Sequence, residues 1–277
     1  MSGNIFTIAR REFTAALLSW DGLAIISLFL GTFGIGVQQA ASVAFLPQFK
    51  HVALAFSIAH SLAWISVPLA GILLGYGTIA EERASGTIHF LASKPVTRDS
   101  IILGKFLGVS AFLTFALGFS ALLAGAAAWV LTGHGGALGS VVAYVLSLLL
   151  LSLVFESVSF FFSTLFSRAR MALITAFVAY VGLSVVWQNL FLIGSPVRAS
   201  SAVANLASPF LAWMNWADGL VSQPQPWKAE LLELVDQGLR TGLPFYASDA
   251  FFVFVMLVWL ALSLLGTLAV FRVRDVA

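Results

Sequence analysis

The densest charge in the sequence lies between residues 81 and 105, where Glu81, Glu82, Arg83, Lys94, Arg98, Asp99 and Lys105 separate two long apolar runs. Glu81 and Glu82 suit the point where a hydrophobic helix leaves a bilayer, because a carboxylate inside the hydrocarbon is costly. Gly86 permits a sharp change of direction. Ile88, Phe90 and Leu91 can then form a short helix along the membrane face, which Pro95 stops. Thr97 is a plausible N-cap for the next helix, with Asp99 in its first turn facing the helix dipole. A short, charged, exposed helix held between two spans is something a soluble motor could push. The same charges also suit topogenic residues at a membrane boundary.

Other residues with chemical potential stand alone. Glu156 falls in the middle of the fourth apolar run, where a carboxylate is by default a candidate for a transport path or gate. Its structural alternatives are an acid bonded to a hydroxyl such as Ser152, Ser157 or Ser159, or a contact in a dimer interface. His60 and His134 have no second histidine at i+3 or i+4, so neither suggests a metal site. Gly118-Phe119-Ser120 and Gly182-Leu183-Ser184 match half of an intramembrane serine-protease pattern. The other half is missing, since the sixth run holds no histidine, and HExxH is absent too. Cysteine is also absent, which excludes disulfides, thiolate ligands and cysteine nucleophiles. Gly104-Lys105 runs into Phe106, and no GxxxxGK[ST] phosphate loop occurs. The chain alone is therefore not expected to be an enzyme or to hydrolyse ATP.

The elements that carry these residues follow from composition. The 277 residues are 60% hydrophobic and 9% charged, with mean hydropathy +0.99. A soluble domain carries about 25% charged residues, so the solvent for this surface is lipid. A formal charge of +2 with no basic stripe gives no reason to expect a nucleic-acid partner. Ile5, Ile8, Ala9, Phe13, Ala16 and Leu17 fall on one face of an amphipathic helix suited to the membrane interface. Six apolar runs follow, at Gly22–Phe45, Val52–Ile79, Ser100–Leu131, Leu138–Phe166, Met171–Ile193 and Asp249–Phe271. Arg10-Arg11-Glu12-Phe13 faintly resembles a twin-arginine signal, but Trp20-Asp21 interrupts the stretch that should follow, so no cleaved leader is expected.

Basic residues set the orientation. Arg10, Arg11, Arg83, Lys94, Arg98, Lys105, Arg168, Arg170, Arg272 and Arg274 fall on one side, against Lys50, Arg198, Lys228 and Arg240 on the other. Both termini are thus expected in the cytoplasm of a multi-pass cell-membrane protein. Residues 132–136, Thr-Gly-His-Gly-Gly, read as a tight outer turn. Residues 194–248 are too many for a structureless loop. There, 228–239 read as an amphipathic helix, and Phe210, Trp213, Met214 and Trp216 add an aromatic surface. The expectation is an outer cap of short helices lying on the membrane.

The run from Glu81 through Phe106 resembles the signature of the ABC-2 type permeases: an acidic run, Gly86-Thr87, a short apolar segment, Ser93-Lys94-Pro95-Val96-Thr97-Arg98, then Gly104-Lys105. Together with the entry helix and six runs, the resemblance covers the whole chain. It implies one transmembrane domain over 1–277, with an interfacial elbow at 1–20, a cytoplasmic coupling segment at 80–99 and an extracytoplasmic cap at 194–248. It further implies that Glu81, Glu82, Arg83, Gly86, Thr87, Lys94, Pro95, Arg98 and Asp99 serve coupling to a cytoplasmic ABC ATPase subunit, which binds ATP and Mg. The other implied partners are a second copy of the chain, the lipid bilayer and an extracytoplasmic accessory protein. The ending Phe271-Arg272-Val273-Arg274 is similar to that of the branch serving metalloenzyme maturation in the copper-site assembly of nitrous oxide reductase. A secondary transporter is the rival reading, which Glu156 alone supports thinly.

Overall fold

The computed structural model describes residues 2–43, 52–86, 97–132, 138–186, 206–221, 233, 235–238, 245 and 248–274. Among them the regular structure is helical throughout: α1 Ser2–Leu17, α2 Trp20–Val43, α3 Val52–Gly75, α4 Ala80–Ala84, α5 Arg98–Thr132, α6 Leu138–Leu165, α7 Ala169–Val181, α8 Pro209–Val221 and α9 Asp249–Arg274. Six helices among these residues are long and apolar enough to cross a membrane, built on α2, α3 continued into α4, α5, α6, α7 with its extension, and α9. The outer turn, the amphipathic helix expected at 228–239 and the short helix of Ile88, Phe90 and Leu91 lie largely or wholly outside the described residues.

Helix starts follow from local chemistry. The Ser19 hydroxyl accepts the Gly22 N–H at 2.9 Å and opens α2, with Asp21 in the first turn. Thr97 opens α5, accepting the Ser100 N–H at 3.3 Å with Asp99 one residue inside, as the sequence predicts. Ser208 and Ser248 do the same for α8 and α9.

Helix α6 is the hub, packed against α3, α5, α7, α8 and α9. Lipid tails are as apolar as leucine, so what holds such helices together is close packing and polar contact rather than hydrophobicity. Gly71 and Gly75 supply the closeness on α3. A methyl group at Gly71 would sit 2.5 Å from the Ser152 carbonyl oxygen, and one at Gly75 would sit 2.9 Å from that of Glu156. The Ser159 hydroxyl donates across the same seam to the Ile72 carbonyl at 3.0 Å.

Three elements differ from the sequence-based expectation. Helix α3 ends at Gly75 and resumes as α4 at Ala80, instead of running unbroken toward the acidic pair. The Ser163 hydroxyl makes this possible by accepting the Ile79 and Ala80 N–H groups, each at 3.0 Å. The fifth run widens into a π turn over Gly182–Val186. Its Leu183 carbonyl accepts from the Ser208 hydroxyl at 2.7 Å, which ties the turn to the start of α8. Lastly, α8 packs against α6 and α9 rather than lying over the bundle. Phe210 and Trp213 are fully buried, and the Trp213 indole donates to Ser147 at 3.2 Å. At 1.5 Å per residue, Ser147 lies about 13 Å along α6 from Leu138. An indole that must bury both its ring and its N–H finds partners inside the bundle, not on its surface.

Candidate functional site

The charged residues gather at one end of the bundle, where α1, α4 and the start of α5 meet the ends of α6 and α9. Lys105 sits about two turns into α5 and is 3% exposed. Its ammonium lies 2.8 Å from a Glu82 carboxylate oxygen on α4 and 3.1 Å from one of Glu12 on α1. Arg83, next to Glu82, donates to the Thr164 and Phe166 carbonyls at 3.0 and 3.3 Å. These carbonyls close the exit of α6, where helix ends leave acceptors unpaired and favour positive charge. Asp99 receives a two-pronged pair from Arg272 at the end of α9, with Nε to Oδ1 at 2.9 Å, and Arg98 donates to the Arg272 carbonyl at 3.4 Å.

The expected coupling residues therefore divide. Glu82, Arg83 and Asp99 bond within the chain and shape the segment. Glu81 is exposed, its carboxylate folded back over Gly77. Gly86 is exposed at φ +74°, a left-handed turn that a side chain would strain. Thr87, Lys94 and Pro95 lie outside the described residues. Glu12 and Lys105 join the cluster although neither is among the expected coupling residues: Lys105 reads in the sequence only as part of the charged run and of Gly104-Lys105, and neither spacing nor residue type links it to Glu12, so far away in the chain.

Glu156 is fully buried, at the seam of α3, α5 and α6. Its partner is Ser110 on α5, whose Oγ lies 3.1 and 3.0 Å from the two carboxyl oxygens. The hydroxyls nearer in sequence are engaged elsewhere, Ser152 with Leu149, Ser157 with Val154 and Ser159 with Ile72. His60 stacks on Trp213 with ring centres 5.1 Å apart and lies 3.2 Å from the Tyr144 hydroxyl, a bonded core histidine. Among the described residues no group of three or more His, Asp or Glu could hold a metal. His134 lies outside them.

A groove of about 530 Å³ opens between α5 and α6 toward the end opposite the charges. Its lining is apolar and includes the exposed side chains of Leu122, Trp129 and Val142. Glu156 is not part of it.

The sequence matches the family described as ABC-2 family transporter proteins over residues 6–276. A probable ABC transporter permease protein NosY of Pseudomonas aeruginosa is 36% identical over 125 residues, 43% of this chain and 45% of that protein. A second probable ABC transporter permease protein NosY, of Stutzerimonas stutzeri, is 33% identical over 116 residues, 41% of each chain. Each alignment thus spans less than half the length of the curated relative. The family match is broader, running from within α1 through the described end of α9 and so taking in the charged end and all six apolar helices. The chain belongs to the ABC-2 family of transporter proteins and is a multi-pass membrane protein.

Proposed function

We propose that the chain is the permease subunit of an ABC transporter, exporting in direction and driven by a separate cytoplasmic subunit that binds ATP and Mg. The observation that carries this reading is the charged end itself, an acidic turn with Glu81 exposed, bonded to α5 and α6, while α1 and α9 are tied in turn to α5, in a chain that has no phosphate loop. Coupling is assigned to Glu81, Glu82, Arg83, Gly86, Thr87, Lys94, Pro95, Arg98 and Asp99 within residues 80–99. Glu81 is free to touch the ATPase, while Glu82, Arg83 and Asp99 hold the segment in shape. Both termini face the cytoplasm of a cell-membrane protein, and residues 194–248 face the other side, available to an accessory protein.

Two copies form the working unit. Six spans without an internal repeat give a single wall of a path, and two ATPase subunits need two coupling surfaces. Glu156 is the gate candidate, placed where a shift of α3 against α6 would reach it. The two relatives named NosY, with the Phe271-Arg272-Val273-Arg274 ending, favour the metalloenzyme-maturation branch. Replacing Glu81 and Glu82 together with lysine should release a co-expressed ATPase while leaving the spans inserted. Co-purification and ATP-driven transport that survive this change would sink the assignment. Mass measurement of the purified assembly should give two copies; a stable single copy active in liposomes excludes the dimer.

A further inference from the structure

The N-terminal helix carries an amphipathic pattern that suits passive residence in the membrane interface. Its contacts with α5 are of another kind. Gly104 and Gly108, one turn apart on α5, bring the two helices nearly backbone to backbone. A methyl group at Gly104 would lie 2.8 Å from the Ile8 Cβ, and one at Gly108 would lie 2.5 Å from the Ala9 carbonyl oxygen and 2.6 Å from the Glu12 Cβ. Between these glycines stands Lys105, with Glu12 of α1 at 3.1 Å and Glu82 of α4 at 2.8 Å. The lysine side chain is 4% exposed and the two carboxylates 19% and 18%. The ammonium donates a hydrogen bond to Glu12 and forms an ion pair with Glu82, so one cation serves carboxylates from two different helices. Without it, two partly buried like charges would face each other across the junction of α1 and α4.

We propose that Lys105 is a positioning residue that fastens α1 and α4 to α5 as one rigid body, so that α1 transmits force rather than only anchoring the chain. The inference rests on the coupling role given to residues 80–99 for its functional consequence, and on the glycine contacts and the buried ammonium for its geometry. A push on α4 is resisted by α1 and passed into α5 at the level of Lys105. Neither helix can lag behind the other while both carboxylates hold the same cation.

The chain has no cysteine, so spin labels attach only where cysteines are introduced. Phe6→Cys on α1 and Ser85→Cys beside α4, both exposed, report the α1–α4 distance in the purified chain without any ATPase. The expected result is one narrow distance distribution, which Lys105→Met broadens or splits. If Lys105→Met does not fold, Glu12→Gln keeps the Lys105–Glu82 pair and should still loosen α1. An unchanged distribution in whichever variant folds overturns the proposal. With the ATPase bound, transport per ATP hydrolysed should fall about tenfold in the variant while ATP turnover persists, a readout that a merely structural lysine would not move. A wild-type ratio overturns the positioning role. Failure of any ATPase to bind the unaltered chain would instead strike the functional reading and leave the distance result standing.

Discussion

Two glycines in similar helices offer a controlled test of what holds α3 against α6. Gly118 on α5 has nothing within 4 Å of where a methyl group would go. At Gly71 the same methyl would lie 2.5 Å from the Ser152 carbonyl oxygen and 2.9 Å from the Glu156 backbone nitrogen. Ordinary contact begins near 3.4 Å, so α3 and α6 would have to part by about 1 Å, and the obstacle is backbone that cannot rotate away. In an open helix, Gly→Ala stabilises by about 0.5–1 kcal/mol through propensity and the unfolded chain. Overpacking of this kind costs about 1–3 kcal/mol. Gly118→Ala should therefore be neutral or slightly stabilising and Gly71→Ala destabilising; the propensity gain is common to both, so the gap between them is the overpacking cost, about 1–3 kcal/mol. Near 2–4 °C per kcal/mol for a chain of this size, the two variants should differ in Tm by at least about 2 °C. Thermal unfolding in detergent, followed by near-ultraviolet circular dichroism or by the monodisperse fraction on size exclusion, measures it. Equal Tm values, or a more stable Gly71→Ala, would refute the account of the seam.

Trp213→Phe keeps most of the ring but removes the indole donor to Ser147, and should lower stability by about 0.5–1.5 kcal/mol. If α8 lay on the membrane surface instead of inside the bundle, thermal unfolding would not register the change. Asp99→Asn removes a solvent-exposed ion pair with Arg272 and should barely move Tm, any effect fading in high salt. A large loss that persists in salt would mean the pair does more than its exposure allows. Glu156→Gln can keep both contacts with Ser110, the amide oxygen accepting and the amide N–H donating, so folding should hold. Transport per ATP should nevertheless change if Glu156 gates the path; wild-type transport by this variant would remove it from the mechanism.

The spans were legible because an apolar run of sufficient length has few alternatives, and the Thr97 cap was legible because capping is local. What escaped depends on residues far apart in sequence. The break after Gly75 needs the Ser163 hydroxyl, 84 positions beyond the Ile79 N–H it accepts. Phe210 and Trp213 were readable as an aromatic surface, yet composition does not separate a surface that meets lipid from one that meets other helices. The acidic pair stood out in the sequence by its charge, but Glu81 and Glu82 look alike there while one is exposed and the other turns in toward Lys105.

That difference bears on how charge is used in a protein with so little of it. Apolar contact gives lipid-embedded helices little preference for one neighbour over another, so register must come from backbone approach and polar pairing. Here the glycines of α3 and α5 supply the first, and Ser163, Arg83 and Lys105 supply the second at the charged end. The residues that position the acidic turn are thus also those that fix how α1, α4, α5 and α6 fit together. Exchanging Glu81 should alter partner contact alone, whereas exchanging Glu82 should alter partner contact and helix arrangement at once. The double lysine substitution is therefore best read beside Glu81→Lys by itself, since only the single change separates lost docking from a rearranged end.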